Sequence, residues 1–212
     1  MQSDLKALLF DLDGTLYAST MLGREIRRSA CRYIADLKGI GATEADLLLT
    51  DTKKRLTADS GIDTPLSLAC IELGGDLREL HRHFAEEINP GPFVARDERV
   101  VELLKILGSK FGLYLYTNNN RTLSASIMRH IGVAGLFREA FTIEDSWRPK
   151  PNREALGEIL QRIGRKPDEC LFIGDRYDVD LRLPAEIGCA VFLVNSTEEL
   201  LSLCKLMNEE NV

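Results

Sequence analysis

Two aspartates, Asp11 and Asp13, stand two positions apart at the end of the first apolar run, Ala7 to Phe10. In an extended segment, residues two positions apart point to the same side, so both carboxylates would face one spot. Two acids this close repel each other unless a cation lies between them or their roles differ. The alternative is that both side chains cap the following segment and lie in solvent. The pair alone does not decide between these interpretations.

A second acidic cluster follows another apolar run late in the chain. Residues 170–173 are followed by a glycine and Asp175, and Asp180 comes five positions later. If the two runs are neighbouring strands, Asp11, Asp13 and Asp175 converge on one spot. Hard oxygen ligands without histidine or sulfur suit Mg²⁺. The sequence therefore predicts a magnesium site, and a site of this type commonly binds a substrate phosphate as well.

Two further polar positions are candidates for phosphate binding. Thr117 closes the apolar run at 112–116, and its hydroxyl and the backbone N–H groups after it can donate to phosphate oxygens. Lys150 lies between Pro149 and Pro151, which fix φ on both sides and present the lysine from a stiff loop. A lysine beside proline is usually a solvated surface charge. The position of Lys150 ahead of a helix and between two strand ends favours a phosphate-binding role instead.

Apolar runs alternate with amphipathic helical patterns along most of the chain. The runs that predict buried parallel strands, the third of them weaker, are 7–10, 112–116, 140–143, 170–173 and 190–194. Helical faces repeat between them over residues 97–107, 122–131 and 152–163. This alternation predicts an α/β fold with a Rossmann-like parallel sheet and helices on both faces. Right-handed crossovers then bring the carboxyl end of every strand to one edge, where ligands bind.

The stretch 17–92 departs from this alternation and predicts consecutive helices. Its first helical face is formed by Leu22, Ile26, Ala30, Tyr33 and Leu37. The proline- and glycine-rich segment 89–92 ends the stretch. The predicted organisation is an α/β catalytic core of residues 1–16 and 93–212, with a small all-helical cap of residues 17–92 inserted after the first strand.

The four polar segments occur in the order typical of the haloacid dehalogenase (HAD) superfamily, which the chain resembles. The matching segments are Phe10-Asp11-Leu12-Asp13-Gly14-Thr15, Tyr116-Thr117-Asn118, Lys150-Pro151-Asn152 and Ile173-Gly174-Asp175. Each segment is unspecific alone, but the ordered set, with Asp180 and Gly188, covers residues 10–188. The helical insert is similar to the cap of the phosphoglycolate phosphatase and pyrimidine nucleotidase branch. Phosphatases of this superfamily use an aspartyl-phosphate intermediate.

The resemblance implies a role for each matched residue. Asp11 would be the nucleophile that attacks phosphorus in line. Asp13 would protonate the leaving alkoxide and then deprotonate the hydrolytic water. Mg²⁺ would be held by Asp11, Asp175 and the backbone carbonyl of Asp13. Asp180 would bind the same metal, directly or through a metal-bound water. The transferring phosphoryl group would be bound by Leu12, Thr117, Asn118 and Lys150.

The acid at position 13 bears on the choice of reaction. Dehalogenases and phosphonate hydrolases of the superfamily generally lack an acid there, so Asp13 favours phosphate-ester hydrolysis or phosphoryl transfer. The leading hypothesis is a Mg²⁺-dependent phosphohydrolase acting on a small phosphorylated metabolite, such as a sugar, nucleotide or organic acid phosphate. The alternatives are a phosphomutase that uses the same two aspartates and a non-catalytic binding protein on this fold.

Composition limits the partners. Among 212 residues, 27 Lys and Arg face 33 Asp and Glu, a formal net charge of −6, which argues against a nucleic-acid-binding protein. No stretch approaches the ~20 apolar residues of a membrane span, and the first apolar run is too short for a signal peptide. The five dispersed cysteines lack CxxC spacing and are typical of core residues in a reducing compartment. We therefore expect a cytoplasmic protein without a membrane partner, and its oligomeric state stays open.

A few weaker signals lie outside the four segments. His81 and His83 match no metal-ligand spacing and are expected at the surface. Trp147, close to Lys150, could stack on a substrate ring or anchor the lysine loop. Asp178 is expected to be an exposed helix cap.

Overall fold

One parallel sheet organises the molecule. The structure is a computed structural model that describes the backbone of residues 5–209 and the side chains of residues 5–203. Within that range the strands are β1 (Ala7–Phe10), β2 (Gly112–Tyr116), β3 (Glu139–Phe141), β4 (Cys170–Gly174) and β5 (Ala190–Leu193). Their order, β3-β2-β1-β4-β5, places β1 in the centre. Phe10 pairs with Leu115 on one side and with Ile173 on the other, so the residues that follow these three strands meet at one edge.

Helices occupy the connections. Four of them follow β1 directly: α1 (Thr20–Lys38), α2 (Ala42–Ser60), α3 (Leu66–Glu72) and α4 (Leu77–Glu87). The others are α5 (Glu98–Gly108), α6 (Arg121–His130), α7 (Ile143–Ser146), α8 (Arg153–Ile163), α9 (Arg182–Glu186) and α10 (Thr197–Glu209). The predicted α/β fold, a Rossmann-like parallel sheet with helices, is confirmed. We call α1–α4 the helical insert, and these helices lie within the predicted range 17–92.

Local sequence explains where the insert begins. Ser19 precedes α1, and its hydroxyl oxygen accepts a hydrogen bond from Leu22 N at 3.1 Å. This bond satisfies one of the free N–H groups at the helix start. Asp76 does the same for α4, accepting from Arg78 N and Glu79 N at 2.9 and 3.0 Å. The caps define where both helices begin.

The two faces of β1 pack into two separate apolar clusters, because successive side chains of a strand point to opposite faces. Leu8 and Phe10 belong to a cluster that extends into the helical insert through Leu22, Ile34 and Leu80. On the other face, Ala7 and Leu9 pack with residues of α8 and the segment before α9, including Leu156, Leu160 and Leu181. The apolar core of the insert is therefore continuous with one face of the sheet.

The weakest predicted strand is displaced in the structure. The run 140–143 predicts a strand that includes Ile143, whereas β3 ends at Phe141 and Ile143 begins α7. Thr142 explains the change, because its N–H and hydroxyl both donate to the Asp145 carboxylate, at 2.8 and 2.9 Å, and this capping box starts a helix. The chain therefore leaves the sheet two residues earlier than predicted.

The prediction that the cysteines are core residues and form no disulfides is confirmed for the part of the chain whose side chains are described. Cys31, Cys70, Cys170 and Cys189 are buried and free, whereas the side chain of Cys204 lies outside the described residues. Among the helices described, none combines the length and the apolar character that crossing a membrane requires.

Candidate active site

The loop after β1 folds back on itself and gathers the acidic residues. Asp11 N donates to Ile173 O at 2.8 Å, which extends the pairing of β1 with β4 by one residue. Gly14 has φ of +82°, a left-handed conformation that favours glycine, and its N–H donates to Tyr17 O at 2.9 Å. A side chain on Gly14 has no room, since a Cβ there would lie 2.3 Å from Asp175 Oδ2. The tight turn therefore brings the first loop against the acid that follows β4.

Lys150 lies at the centre of the site. Its Nζ donates to Asp11 Oδ1 at 2.6 Å, to Asp180 Oδ1 at 2.7 Å and to Tyr116 O at 2.9 Å. The lysine side chain is 2% exposed, and those of Asp11 and Asp180 are 5% and 3% exposed. A buried ammonium needs paired charges around it, and these three acceptors use all three of its protons. The structure thus brings together residues 11, 150 and 180, which are far apart in sequence.

Burial sets the titration of this cluster. Burial raises the pKa of Asp11 above its ordinary value, the charge of Lys150 opposes that shift, and Asp180 and Asp13 add to it. Burial alone would lower the pKa of Lys150, but the two carboxylates outweigh it and raise this pKa, so the lysine stays charged. For Asp180, Lys150 and Arg176 outweigh burial and lower its pKa. The site therefore holds a firmly cationic lysine among several acids.

The acids provide a ligand set for a cation. Single oxygens of Asp11, Asp175 and Asp180 all lie within 4.8 Å of one another. Asp11 Oδ2 and Asp175 Oδ1 are buried and accept no hydrogen bond among the described residues. A buried carboxylate oxygen without a donor is costly unless a cation completes it. The oxygen-only donor set fits a hard divalent metal ion.

Asp180 is less available to a metal than the other two acids. Its Oδ1 accepts from Lys150, and its Oδ2 accepts from Arg176 N at 3.1 Å. Arg176 Nε also lies 3.9 Å from Asp175 Oδ1 and 3.9 Å from Asp180 Oδ2. The sequence-based reasoning missed Arg176, a second cation that partly offsets the acidic cluster.

The Asp13 side chain is not part of the acidic cluster formed by Asp11, Asp175 and Asp180. Its Oδ1 accepts from the Tyr17 hydroxyl, and its Oδ2 accepts from Asn119 Nδ2 at 2.6 Å. Burial raises its pKa, while Tyr17, Arg176, Lys150 and Asn119 oppose the shift. The two aspartates of the first loop therefore occupy different environments, as different chemical roles require.

The remaining predicted phosphate-binding residues are Leu12, Thr117 and Asn118. Thr117 is 1% exposed, and its Oγ1 accepts from Asn119 N at 3.2 Å, which leaves its hydroxyl proton available to donate. Asn118 Oδ1 accepts from Lys150 N at 2.7 Å, so its side chain anchors the lysine loop. The Leu12 side chain is fully buried, and only its backbone can reach a phosphate.

Asn120 links the core to the helical insert. It is the N-cap of α6, and its Oδ1 accepts from Leu123 N at 2.8 Å. Its Nδ2 donates to the backbone carbonyl of His81, a residue of α4, at 3.0 Å. Sequence reasoning also missed Tyr17, Asn119 and Asn120. The consecutive polar residues after β2 were the available signal for the two asparagines.

The prediction that His81 lies at the surface is wrong. The residue is 4% exposed, with its ring 5.5 Å from that of Phe84 and 6.4 Å from that of Trp147, centroid to centroid. It stands three positions before Phe84 on the apolar face of α4, and the core covers that face. Trp147 also stacks under the Arg78 guanidinium at 4.8 Å. In this structure Trp147 therefore contacts the insert.

Two other peripheral predictions have mixed outcomes. His83 is half-buried, and its Nε2 lies 3.2 Å from Glu87 Oε2. The Asp178 side chain is 45% exposed, as expected, and lies 3.8 Å from Arg182 Nη1. The expected helix cap is wrong, because Asp178 lies within a π-helical turn (Tyr177–Leu181) whose N-cap position is Arg176.

Comparison with known proteins assigns the family. A family model described as haloacid dehalogenase-like hydrolase matches residues 5–188, most of the chain and all four polar segments. The chain belongs to this hydrolase family. The predicted resemblance is confirmed, and hydrolases of this superfamily generally use a divalent metal, which the acidic cluster of this chain fits.

Named relatives of the family include phosphatases. The chain is 26% identical over 189 residues to a glyceraldehyde 3-phosphate phosphatase of Methanopyrus kandleri, covering 84% of this chain and 78% of the relative. It is 26% identical over 200 residues to a phosphoglycolate phosphatase of Vibrio vulnificus, with 90% and 84% coverage. The crystal structure of a HAD phosphatase from Thermococcus onnurineus superposes with a TM-score of 0.63 at 18% identity, covering 98% of this chain and 100% of that one.

Proposed function

We propose that this hydrolase is a Mg²⁺-dependent phosphatase that cleaves a small phosphomonoester through an aspartyl-phosphate on Asp11. One observation carries the proposal. The Asp11 carboxylate is buried, one oxygen accepts from Lys150, the other has no donor among the described residues, and Asp11 forms an acidic cluster with Asp175 and Asp180. Such an oxygen is suited to accept a phosphoryl group beside a cation.

In the first half-reaction, an Asp11 oxygen forms a bond to phosphorus as the bond between phosphorus and the leaving oxygen breaks. The electron pair of that bond stays on the leaving oxygen. Asp13 transfers its proton to this oxygen, so an alcohol departs and Asp13 becomes a carboxylate. Thr117 and the backbone at Leu12 bind the phosphoryl oxygens, Lys150 supplies positive charge beside them, and Asn118 holds the lysine loop in place.

In the second half-reaction, water attacks phosphorus and the bond to Asp11 breaks. Asp13 takes one proton from the water, which restores its acid form, and the electron pair of the broken bond returns to Asp11 as a carboxylate. The products are inorganic phosphate and the starting enzyme. The raised pKa of Asp13 suits a group that must exchange a proton in both half-reactions.

A bound metal ion would offset the repulsion among the acids of this cluster. Asp11, Asp175 and the backbone carbonyl of Asp13 would hold Mg²⁺. Both oxygens of Asp180 already accept hydrogen bonds, so Asp180 would interact with the ion through a metal-bound water. The ion supplies positive charge that offsets the repulsion between carboxylate and phosphate. Lys150, 2.6 Å from Asp11 Oδ1, contributes a second positive charge.

We further propose that residues 17–92 act as a cap that selects the leaving group and excludes water. The support is the position of the insert directly after the catalytic loop and its contact with the core through Asn120 and Trp147. The relatives named above act on phosphorylated three- and two-carbon compounds, which supports a small metabolite as substrate. Cytoplasmic location and the absence of a nucleic-acid partner stay predictions.

The test is phosphate release from an aryl phosphate by wild type and Asp11→Asn. The variant should lose at least about 10³-fold in kcat, because the nucleophile is gone, while thermal unfolding shows an intact fold. Asp178→Asn is the matched control, since it removes an exposed acid from the π-helical turn. It should keep wild-type activity. The proposal is refuted if Mg²⁺ does not stimulate phosphate release by wild type from any member of a phosphomonoester panel.

The same panel separates the two alternatives. A phosphomutase would isomerise a sugar phosphate faster than it releases phosphate, and both products can be followed in one reaction. A non-catalytic protein would turn over no ester. Calorimetric titration with MgCl₂ then checks the acidic site directly, and Asp175→Asn should weaken Mg²⁺ binding at least about tenfold because it removes a charged ligand.

A further inference from the structure

The carboxylate of Asp13 is held at both oxygens by residues from two different loops. Tyr17 comes from the segment that leads into α1, and its hydroxyl donates to Asp13 Oδ1. Asn119 comes from the loop after β2, and its Nδ2 donates to Asp13 Oδ2 at 2.6 Å. No residue of the four matched segments makes a hydrogen bond to this carboxylate among the described side chains.

Both donors are themselves fixed. The Gly14 N–H donates to Tyr17 O at 2.9 Å, which closes the turn and brings the tyrosine back over Asp13. Asn119 N donates to Thr117 Oγ1 at 3.2 Å, and Asn119 O accepts from Ile143 N at 3.1 Å. Because each donor is anchored through its backbone, the pair sets the plane of the carboxyl group rather than following it.

A carboxylate has about four lone-pair positions, two on each oxygen. Tyr17 and Asn119 take one position on each oxygen of Asp13, so one position on each oxygen stays free for a proton. We propose that Tyr17 and Asn119 are positioning residues that aim one of these free positions at the leaving-group oxygen. The inference rests on the proposed phosphatase reaction and adds how the proton donor is oriented.

Orientation matters in proportion to how much the leaving group needs a proton. An alkyl phosphate expels a strongly basic alkoxide, which must be protonated as the bond to phosphorus breaks. An activated aryl phosphate such as 2,4-dinitrophenyl phosphate expels a weakly basic phenoxide that needs no proton. General acid catalysis contributes roughly 10²–10⁴-fold, so misdirecting Asp13 should forfeit part of that factor on alkyl esters and far less on aryl esters.

The experiment compares kcat/KM for ethyl phosphate and 2,4-dinitrophenyl phosphate. In Tyr17→Phe, which keeps the ring and removes only the hydroxyl, the ratio of alkyl to aryl rates should fall at least about tenfold. Asn119→Leu, close to asparagine in shape, should lower the same ratio. Tyr33→Phe is the matched control. Its hydroxyl bonds the Asp76 backbone inside the helical insert, at 2.9 and 3.3 Å, and its ratio should equal that of wild type.

A second comparison isolates the action through Asp13. In an Asp13→Asn background the proton donor is already lost, so adding Tyr17→Phe should leave the alkyl-to-aryl ratio where Asp13→Asn alone puts it. Equal losses on both esters in Tyr17→Phe and Asn119→Leu overturn the inference, and so does a further drop of the ratio in the double variant. Failure of the proposed function shows separately, as a wild type that releases phosphate from neither ester.

Discussion

Protonation of His81 should cost the folded state stability below neutral pH. Burial lowers the pKa of His81 from 6.5 to about 4, and both ring nitrogens lack a hydrogen-bond partner among the described residues. The unfolded chain takes up a proton as the pH falls through 6.5, whereas the folded chain does not until about 4. Between pH 6.5 and about 4 the unfolded state therefore binds more protons than the folded state. The free energy of unfolding is highest above this window and decreases as the pH falls through it.

The two pKa values give the size of the effect. One unit of pKa difference is about 1.36 kcal/mol, so lowering the pH from 7 to 5 should reduce the free energy of unfolding by about 2 kcal/mol through His81 alone. The loss levels off below pH 4. His81→Leu removes the titration and keeps an apolar side chain of similar volume between Phe84 and Trp147.

Urea unfolding of wild type and His81→Leu at pH 7, 6 and 5 measures the effect. Every other titrating group is common to the two proteins, so the difference between their unfolding free energies isolates the histidine. Wild type should lose about 2 kcal/mol more than the variant between pH 7 and 5. Parallel pH curves would show that His81 is solvated or hydrogen-bonded in the folded state and would refute the reasoning.

Three other substitutions, the first with its own control variant, have expected outcomes. Gly14→Ala should weaken Mg²⁺ binding at least about tenfold in calorimetry, because its Cβ would displace Asp175, whereas Gly74→Ala, also at positive φ but with open space around it, should show only the backbone cost of about 1–2 kcal/mol in urea unfolding. Asn120→Ala should lower the unfolding free energy by about 1 kcal/mol through the lost cap of α6. Lys150→Met leaves buried carboxylates unpaired and should cost about 3–5 kcal/mol in the absence of metal, and added MgCl₂ should recover part of that loss in thermal unfolding. Unchanged Mg²⁺ affinity in Gly14→Ala, unchanged stability in Asn120→Ala, or a metal-free Lys150→Met variant as stable as wild type would each contradict the corresponding argument.

The sheet and the catalytic edge could be predicted because their determinants are local. Each central strand is an apolar run that stops at a polar residue, and a strand buried on both faces leaves little choice of pattern. The predicted bounds of β1 and β2 agree with the structure, and β4 extends one residue further. Parallel topology then brings Asp11, Thr117 and Asp175 to one edge without further information.

The residues that sequence reasoning missed depend on contacts between distant segments. Tyr17 reaches Asp13 only because the turn at Gly14 closes, and Asn119 reaches it only because β2 lies beside β1. His81 looks polar in sequence, and its burial follows from the packing of α4 against Trp147. β3 was misplaced for a different reason, since the capping box at Thr142 and Asp145 outweighs the apolar pattern that runs through Ile143.

The three consecutive asparagines 118–120 constrain the length of the loop after β2 more strictly than its composition. Asn118 bonds the Lys150 backbone, Asn119 bonds Asp13, and Asn120 bonds the carbonyl of His81. Deleting any one of the three codons yields the same shortened protein, in which two amides face three partners. Surface loops ordinarily tolerate insertions and deletions. Here the loss of a single loop asparagine would break the bond to the Lys150 loop, to Asp13 or to the helical insert, while leaving every catalytic side chain present.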